Sequence, residues 1–218
     1  RRAFLDQAVP LYEPDYKKLL SNYKKIVVQR NALLSQRSGI FSQQSYTVWT
    51  EQLMPVATAL QNYRVTFIAK LEDAINRIID DAFPELGRLS LVYKVASANS
   101  ADLSGLQERE RHAGRTLFGP HLDDLEIAMS GKDAKRFASR GQQKLIAVLM
   151  KLAQLSSMQG KAILLLDDFM TDFDDQRTTQ LLNILFQQQA QMIFTSPSEQ
   201  SFLMQELLKR GCQRIKLS

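Results

Sequence analysis

No glycine precedes Gly39, and none lies between Gly39 and Gly87. Stretches that lack the residue most tolerant of turns are biased towards long helices. The apolar spacing agrees. Tyr16, Leu20, Tyr23, Val27 and Leu34 share one helical face, and Arg30 fills the one missing seam position. Trp49, Leu53, Val56, Leu60, Tyr63, Phe67, Leu71, Ile75 and Ile78 continue at intervals of three or four. The expectation is an antiparallel helical hairpin from about Glu13 to Phe83, turning at Ser38-Gly39, with a coiled-coil-like seam. The alternative is ordinary two-helix packing without a protruding arm. Pro55 lacks an N–H and crowds the preceding turn, so a kink is expected there.

Beyond Gly87 the period changes. Leu89, Leu91, Tyr93 and Val95 alternate with Ser90, Val92 and Lys94, which fits a strand. Thr116–Phe118 and Leu125–Met129 read as short strands flanking the turn Gly119-Pro120. Ser139–Ser157 reads as a helix burying Leu145, Val148, Leu149, Leu152 and Leu155. Ile163–Leu166 is a continuous apolar run, too short for a helix, and reads as a strand buried on both faces of a parallel sheet. Helices over Gln176–Gln189 and Glu199–Arg210, a buried strand over Met192–Phe194 and a last strand over Arg214–Leu217 follow. Gly211 after Lys209-Arg210 is a helix stop. The expected class is an α/β core with a helical appendage.

Composition removes several functions. No apolar run approaches the length of a membrane span. Cys212 stands alone, which excludes an internal disulfide framework, and His112 and His121 leave little room for a multi-histidine metal centre. Lys and Arg number 28 against 23 Asp and Glu, giving +5, which permits a polyanionic partner without requiring one. The chain begins Arg1-Arg2 without Met or a signal-peptide pattern, so it is expected to be a piece of something longer.

Four groups of residues carry chemistry. Ile163–Leu166 delivers Asp167 and Asp168 at the C-terminal end of a strand, the edge at which open α/β sheets bind ligands. One carboxylate suits Mg²⁺ beside phosphates, and the other suits orienting a water; the alternative is a capped loop. Ser139-Arg140-Gly141-Gln142-Gln143-Lys144 opens a helix. Its free N–H groups can hold an anion, or Ser139 and Gln142 can form a capping box. Thr171-Asp172-Phe173-Asp174 follows the carboxylates, and Thr195-Ser196 follows the neighbouring strand, in reach of a phosphate beside Asp167 and Asp168.

In this order the groups resemble an ABC-type ATPase, and the RecF family in particular. The matching words are Arg2–Asp6 (RAFLD), Gln29–Leu34 (QRNALL), Gly119–Leu125 (GPHLDDL), Ser139–Lys144 (SRGQQK), Leu164–Asp168 (LLLDD) and Thr195-Ser196. The resemblance implies an ABC-type P-loop NTPase half-core with an inserted helical-hairpin arm and a small β element. It divides the chain into a helical arm (1–87), a signature-motif lobe (88–158) and a Walker B half (159–218). It further implies that Ser139, Arg140, Gly141, Gln142 and Gln143 form the signature motif that completes the ATP site of the opposite subunit. Asp167 is the implied Mg²⁺ ligand and Asp168 the catalytic carboxylate. Thr171–Asp174 resembles the D-loop, with Asp174 at the nucleotide, and Thr195 stands where transporters carry a switch histidine. Two departures stand out. The family's His-Arg-Asp-Asp is His121-Leu122-Asp123-Asp124, and its Ser-Glu-Leu-Asp is Thr171–Asp174. For His121, Asp123 and Asp124 a tight hairpin turn is expected over a metal site.

No P-loop is present. Gly131-Lys132 and Gly160-Lys161 lack the earlier glycine and are followed by Asp133 and Ala162. In RecF-like proteins that segment precedes the residues matching Arg1–Asp6. The expectation is that this polypeptide alone does not hydrolyse ATP, while a full-length dimer is a weak DNA-stimulated ATPase needing ATP and Mg²⁺. Lys17, Lys18, Lys24, Lys25, Arg30 and Arg37 form an acid-free basic run from Tyr16 to Gly39 that favours phosphates or is a solvated helix face. The resemblance favours DNA at gaps or junctions, an ATP-bound homodimer, RecO and RecR as partners, recombinational repair, the SOS response and a cytoplasmic location. The rival is a non-hydrolysing adaptor, a helical arm on a degenerate nucleotide fold.

Overall fold

The computed structural model describes residues 2–36, 41–96, 103–156, 162–167, 170, 172–188, 190–196, 198 and 201–215. Arg37, Asp168 and Thr171, with the Ser38-Gly39 turn, lie outside them. The chain divides into two units, each discontinuous: Arg1–Asp73 with Ser90–Ala128, and Ala74–Leu89 with Met129–Ser218. Residues 90–128 group with the helices that precede them.

In the first unit α1 (Arg2–Ala8) leads through a 3-10 turn into α2 (Pro14–Leu34), where Pro14 starts the helix at a position that needs no N–H. α3 (Gln43–Ala82) is 40 residues long and continues through Pro55. The two helices run antiparallel, with Tyr12 against Phe67, Tyr16 against Tyr63 and Arg30 beside Thr50. Tyr16, Tyr23, Ile26 and Leu34 from α2 and Leu53, Leu60 and Phe67 from α3 are buried, so the seam residues do form a core. Each fully buried leucine contributes about 1.5–3 kcal/mol. β1 (Leu89–Lys94) pairs with β2 (Asp124–Met129), and the short β3 (Lys132–Asp133) belongs to the second unit.

One element is new here and one sequence expectation changes. Residues Leu103–Ala113 form α4, whose described buried side chains are Leu106 and Glu110. Thr116–Phe118 is not a strand, because the N–H groups of Thr116 and Leu117 meet side chains: Thr116 donates to Asn31 Oδ1 and Leu117 to Glu110 Oε1, both at 2.8 Å.

In the second unit α5 (Ala134–Phe137) precedes α6 (Arg140–Ser156), and β4 (Ala162–Leu166), α7 (Asp175–Phe186), β5 (Ala190–Phe194) and α8 (Phe202–Lys209) follow. Leu145, Leu149 and Leu152 of α6 are buried, as are Leu181, Leu182 and Leu185 of α7. β4 and β5 are parallel, with Leu166 opposite Phe194. The expectation of a strand buried on both faces fails for β4. Ile163 is 65% and Leu165 70% exposed, because among the described residues only β5 pairs with it and one face of the pair stays open. Arg214 and Ile215 are not in a strand, and the rest of that expected strand lies outside the described residues.

Candidate functional site

Parallel pairing of β4 with β5 brings the residues after both strands to one sheet edge. The Thr195 N–H donates to the Leu166 carbonyl at 3.0 Å, and the Thr195 hydroxyl donates to the Asp167 carboxylate. Asp167 is otherwise exposed. The carboxylate and hydroxyl read separately from sequence therefore form one pair. Among the described residues no group of three or more His, Cys, Asp or Glu side chains is arranged to hold a metal ion. A single exposed carboxylate still fits Mg²⁺, which keeps waters and uses phosphate oxygens for most of its shell.

At the start of α6 the capping box forms. The Ser139 N–H donates to Gln142 Oε1 at 2.9 Å, and the Gln142 N–H to Ser139 Oγ at 3.2 Å. The Gln143 amide donates to the carbonyls of Ala134, Lys135 and Ala138, ending α5. Arg140 is exposed. A Cβ on Gly141 would lie 3.3 Å from the Asp172 carbonyl oxygen, so the loop passes against the bare backbone of α6. Lys144 Nζ meets Asp172 Oδ2 at 2.9 Å. Asp174 caps α7, its Oδ1 accepting the Arg177 N–H at 2.8 Å. Asp167 is bonded to Thr195 rather than to Ser139–Gln143, and Asp168 and Thr171 lie outside the described residues.

The basic run divides. Lys17, Lys18, Lys24 and Lys25 are exposed on α2, and among the described residues none makes an ion pair. Lys24 and Lys25 share an exposed face of α2 with Ser21, Val28 and Gln29. Arg30 must be removed from this face. It is fully buried, its guanidinium meets both Glu110 oxygens at 3.0 and 2.6 Å, and it stacks on Tyr46. Its seam position decides its fate, because a charge inside a core must be paired.

Sequence reasoning missed this buried polar system. Glu110 also accepts the Tyr46 hydroxyl and the Leu117 N–H, at 2.8 Å each. Arg64 donates to Tyr16, Asp6 and the Pro120 carbonyl, at 2.7–2.8 Å. Asp123 accepts from Gln61, Tyr93 and the Ala96 N–H. Burial pushes the Tyr16 and Tyr46 hydroxyls up to about 12, so both stay protonated donors. One signal was available, a charged residue in an apolar seam.

His121 belongs to this system. Its Nδ1 lies 2.5 Å from the Tyr23 hydroxyl and its Nε2 3.3 Å from the Thr116 carbonyl, which fits a neutral ring donating from Nε2. Burial lowers its pKa. A histidine held neutral in the folded state binds its proton more readily when unfolded, so stability is full above about pH 6.5 and falls below it. The melting temperature is expected to drop between pH 7 and 5.5, above the carboxylate range. His121→Gln is expected to flatten that slope in thermal melts; an unchanged slope refutes the assignment.

No protein-family profile matches the chain. Curated relatives do. The DNA replication and repair protein RecF of Bacillus cytotoxicus is 33% identical over 99% of this chain and 62% of its own length. That of Heliobacterium modesticaldum is 31% identical with the same coverage, and that of Geotalea daltonii 28% over 79% of this chain and 52% of its own. The chain belongs to the RecF family. It spans about half to three-fifths of the length of those RecF relatives. Solved structures share the fold. The recombination mediator protein RecF of the RecFOR pathway, as RecF-ATPrS, superposes with a TM-score of 0.76 over 91% of this chain and 57% of its own, at 23% identity. The RecF-ATP structure gives 0.73 over 92% of this chain and 58% of its own. The α/β half-core with its helical arm is thus the RecF fold. In this RecF sequence the words RAFLD and GPHLDDL turn out to touch, and QRNALL holds Thr116, just ahead of GPHLDDL. Arg2 donates to the His121 carbonyl, Asp6 and Asp123 flank Arg64, and Asn31 holds Thr116.

Proposed function

We propose that this chain is part of a RecF-type DNA replication and repair ATPase in which ATP drives dimerisation and acts as a switch in recombinational repair and the SOS response. The observation that carries the reading is the Asp167–Thr195 pair at adjacent parallel strand ends, on a chain matched to RecF along its length. Bound ATP with Mg²⁺ supplies the phosphates that join two subunits and the bond whose cleavage releases them. Asp167 would hold the Mg²⁺, and the Thr195 hydroxyl fixes that carboxylate. Asp168 is proposed to orient or deprotonate the attacking water. Ser139, Arg140, Gly141, Gln142 and Gln143 form the turn offered to the second subunit's nucleotide, and Asp174 lies on the loop beside it. RecO, RecR and a cytoplasmic setting belong to the same proposal. Among the described residues no helix is long and apolar enough to cross a membrane.

DNA is assigned to Lys17, Lys18, Lys24 and Lys25, whose exposure without ion pairs leaves them available to phosphates; Arg37 extends the same run in sequence. Each phosphate that is no longer neutralised lowers the salt slope of log K by about 0.9. Reversing Lys17, Lys24 and Lys25 to Glu in a full-length protein is expected to weaken DNA binding and reduce that slope by up to about 3. An unchanged slope takes the arm out of the DNA site. ATP-dependent dimerisation of the full-length protein, abolished in Ser139→Arg, tests the switch. A protein that neither binds nucleotide nor dimerises is an adaptor instead.

A further inference from the structure

We propose that Lys144 and Asp172 form a strut that sets the signature turn in register with the loop after Asp167, and so tunes how strongly ATP drives self-association. This rests on the switch reading above. Three interactions of different kinds join one turn of α6 to two consecutive loop residues. Lys144 Nζ lies 2.9 Å from Asp172 Oδ2. The same ammonium lies 6.0 Å from the centroid of the Phe173 ring. The Asp172 carbonyl packs where a Cβ on Gly141 would be, at 3.3 Å.

Three described residues of this stretch are tied. At its start Asp167 is bonded to Thr195; at its end Asp174 caps α7. Of these three, the middle tie, at Asp172, is the one that reaches α6. Asp172 and Phe173 therefore lie between two anchored positions, Asp167 and Asp174, and they meet α6 through Lys144 and the bare Gly141 backbone. Lys144 is 27% and Asp172 52% exposed, so this pair is solvated and contributes little to the folding of the unit. A weak, reversible tie between two anchored positions suits a coupling element better than a structural rivet. Lys144 and Asp172 are thus positioning residues, acting through the backbone of the signature turn.

The test uses a full-length protein with Lys144→Glu, Asp172→Lys and the double reversal. Dimerisation with ATP is followed by analytical ultracentrifugation, and amide exchange of residues 139–144 is followed without nucleotide. Each single reversal is expected to weaken ATP-driven dimerisation about fivefold to tenfold, and the double reversal to recover it within about twofold. Either single reversal is expected to speed exchange at the start of α6, and the double to slow it again. Single variants with wild-type dimerisation and exchange, or a double variant no better than the worse single, overturn the strut. If the unaltered protein does not dimerise with ATP, the switch reading fails. The exchange arm then decides whether the strut itself exists.

Discussion

Glu110→Ala is expected to destabilise the first unit by about 3–5 kcal/mol. Glu110 and Arg30 are both fully buried. Removing the carboxylate strands a guanidinium in the core, with the Tyr46 hydroxyl and the Leu117 N–H each losing an acceptor. Thr116 and Thr50 still accept from Arg30, but neither carries charge. Chemical denaturation of Glu110→Ala measures the cost, and a loss below about 1 kcal/mol contradicts the assignment. The paired replacement Arg30→Met with Glu110→Leu is the sharper experiment. Apolar substitutes for a buried ion pair are often neutral or better. The double variant is therefore expected to be more stable than Glu110→Ala, although it changes more atoms.

Asp123→Ala is expected to cost a similar amount, about 3–5 kcal/mol, through orphaned donors rather than one orphaned charge. Gln61 Nε2, the Tyr93 hydroxyl and the Ala96 N–H all lose their acceptor, and Arg64, 3.6 Å away, loses a counter-charge. Asp6 still pairs with Arg64, which limits the damage. Asp123→Asn keeps the shape and one acceptor oxygen, and is expected to lose about half as much. Equilibrium unfolding of the two variants, followed by tyrosine fluorescence, orders them. An Asn variant as damaged as Ala would mean that charge, not hydrogen bonding, dominates at this position.

Elements whose burial is apolar were legible in the sequence. The hairpin spacing located α2 and α3, and the apolar runs located β4, β5 and α6. The strand ends of the candidate site followed, since parallel strands that end level put the next residues, Asp167 and Thr195, side by side. What escaped was buried through polar groups. α4 carries Leu106 and Glu110 on its inner face, so its hydropathy shows no stripe. Thr116–Phe118 alternates like a strand, yet its partners are the side chains of Asn31 and Glu110, which no periodicity reveals. In the sequence Arg30 stands both in the helical seam and in the basic run. Only a partner 80 residues away resolves the conflict. The open face of β4, with Ile163 and Leu165, shows the converse limit. An apolar run records what the sequence is suited to bury, not what is present to cover it.

That separation of 80 residues has a consequence for how the protein is made. Translation at about 5–20 residues per second places Arg30 on the order of 10 s ahead of Glu110. During that interval α2 and α3 can pair, but the space around Arg30 holds a cation without its acid. The seam therefore cannot close dry until α4 emerges, and the first unit completes late although α2 and α3 leave the ribosome before α4.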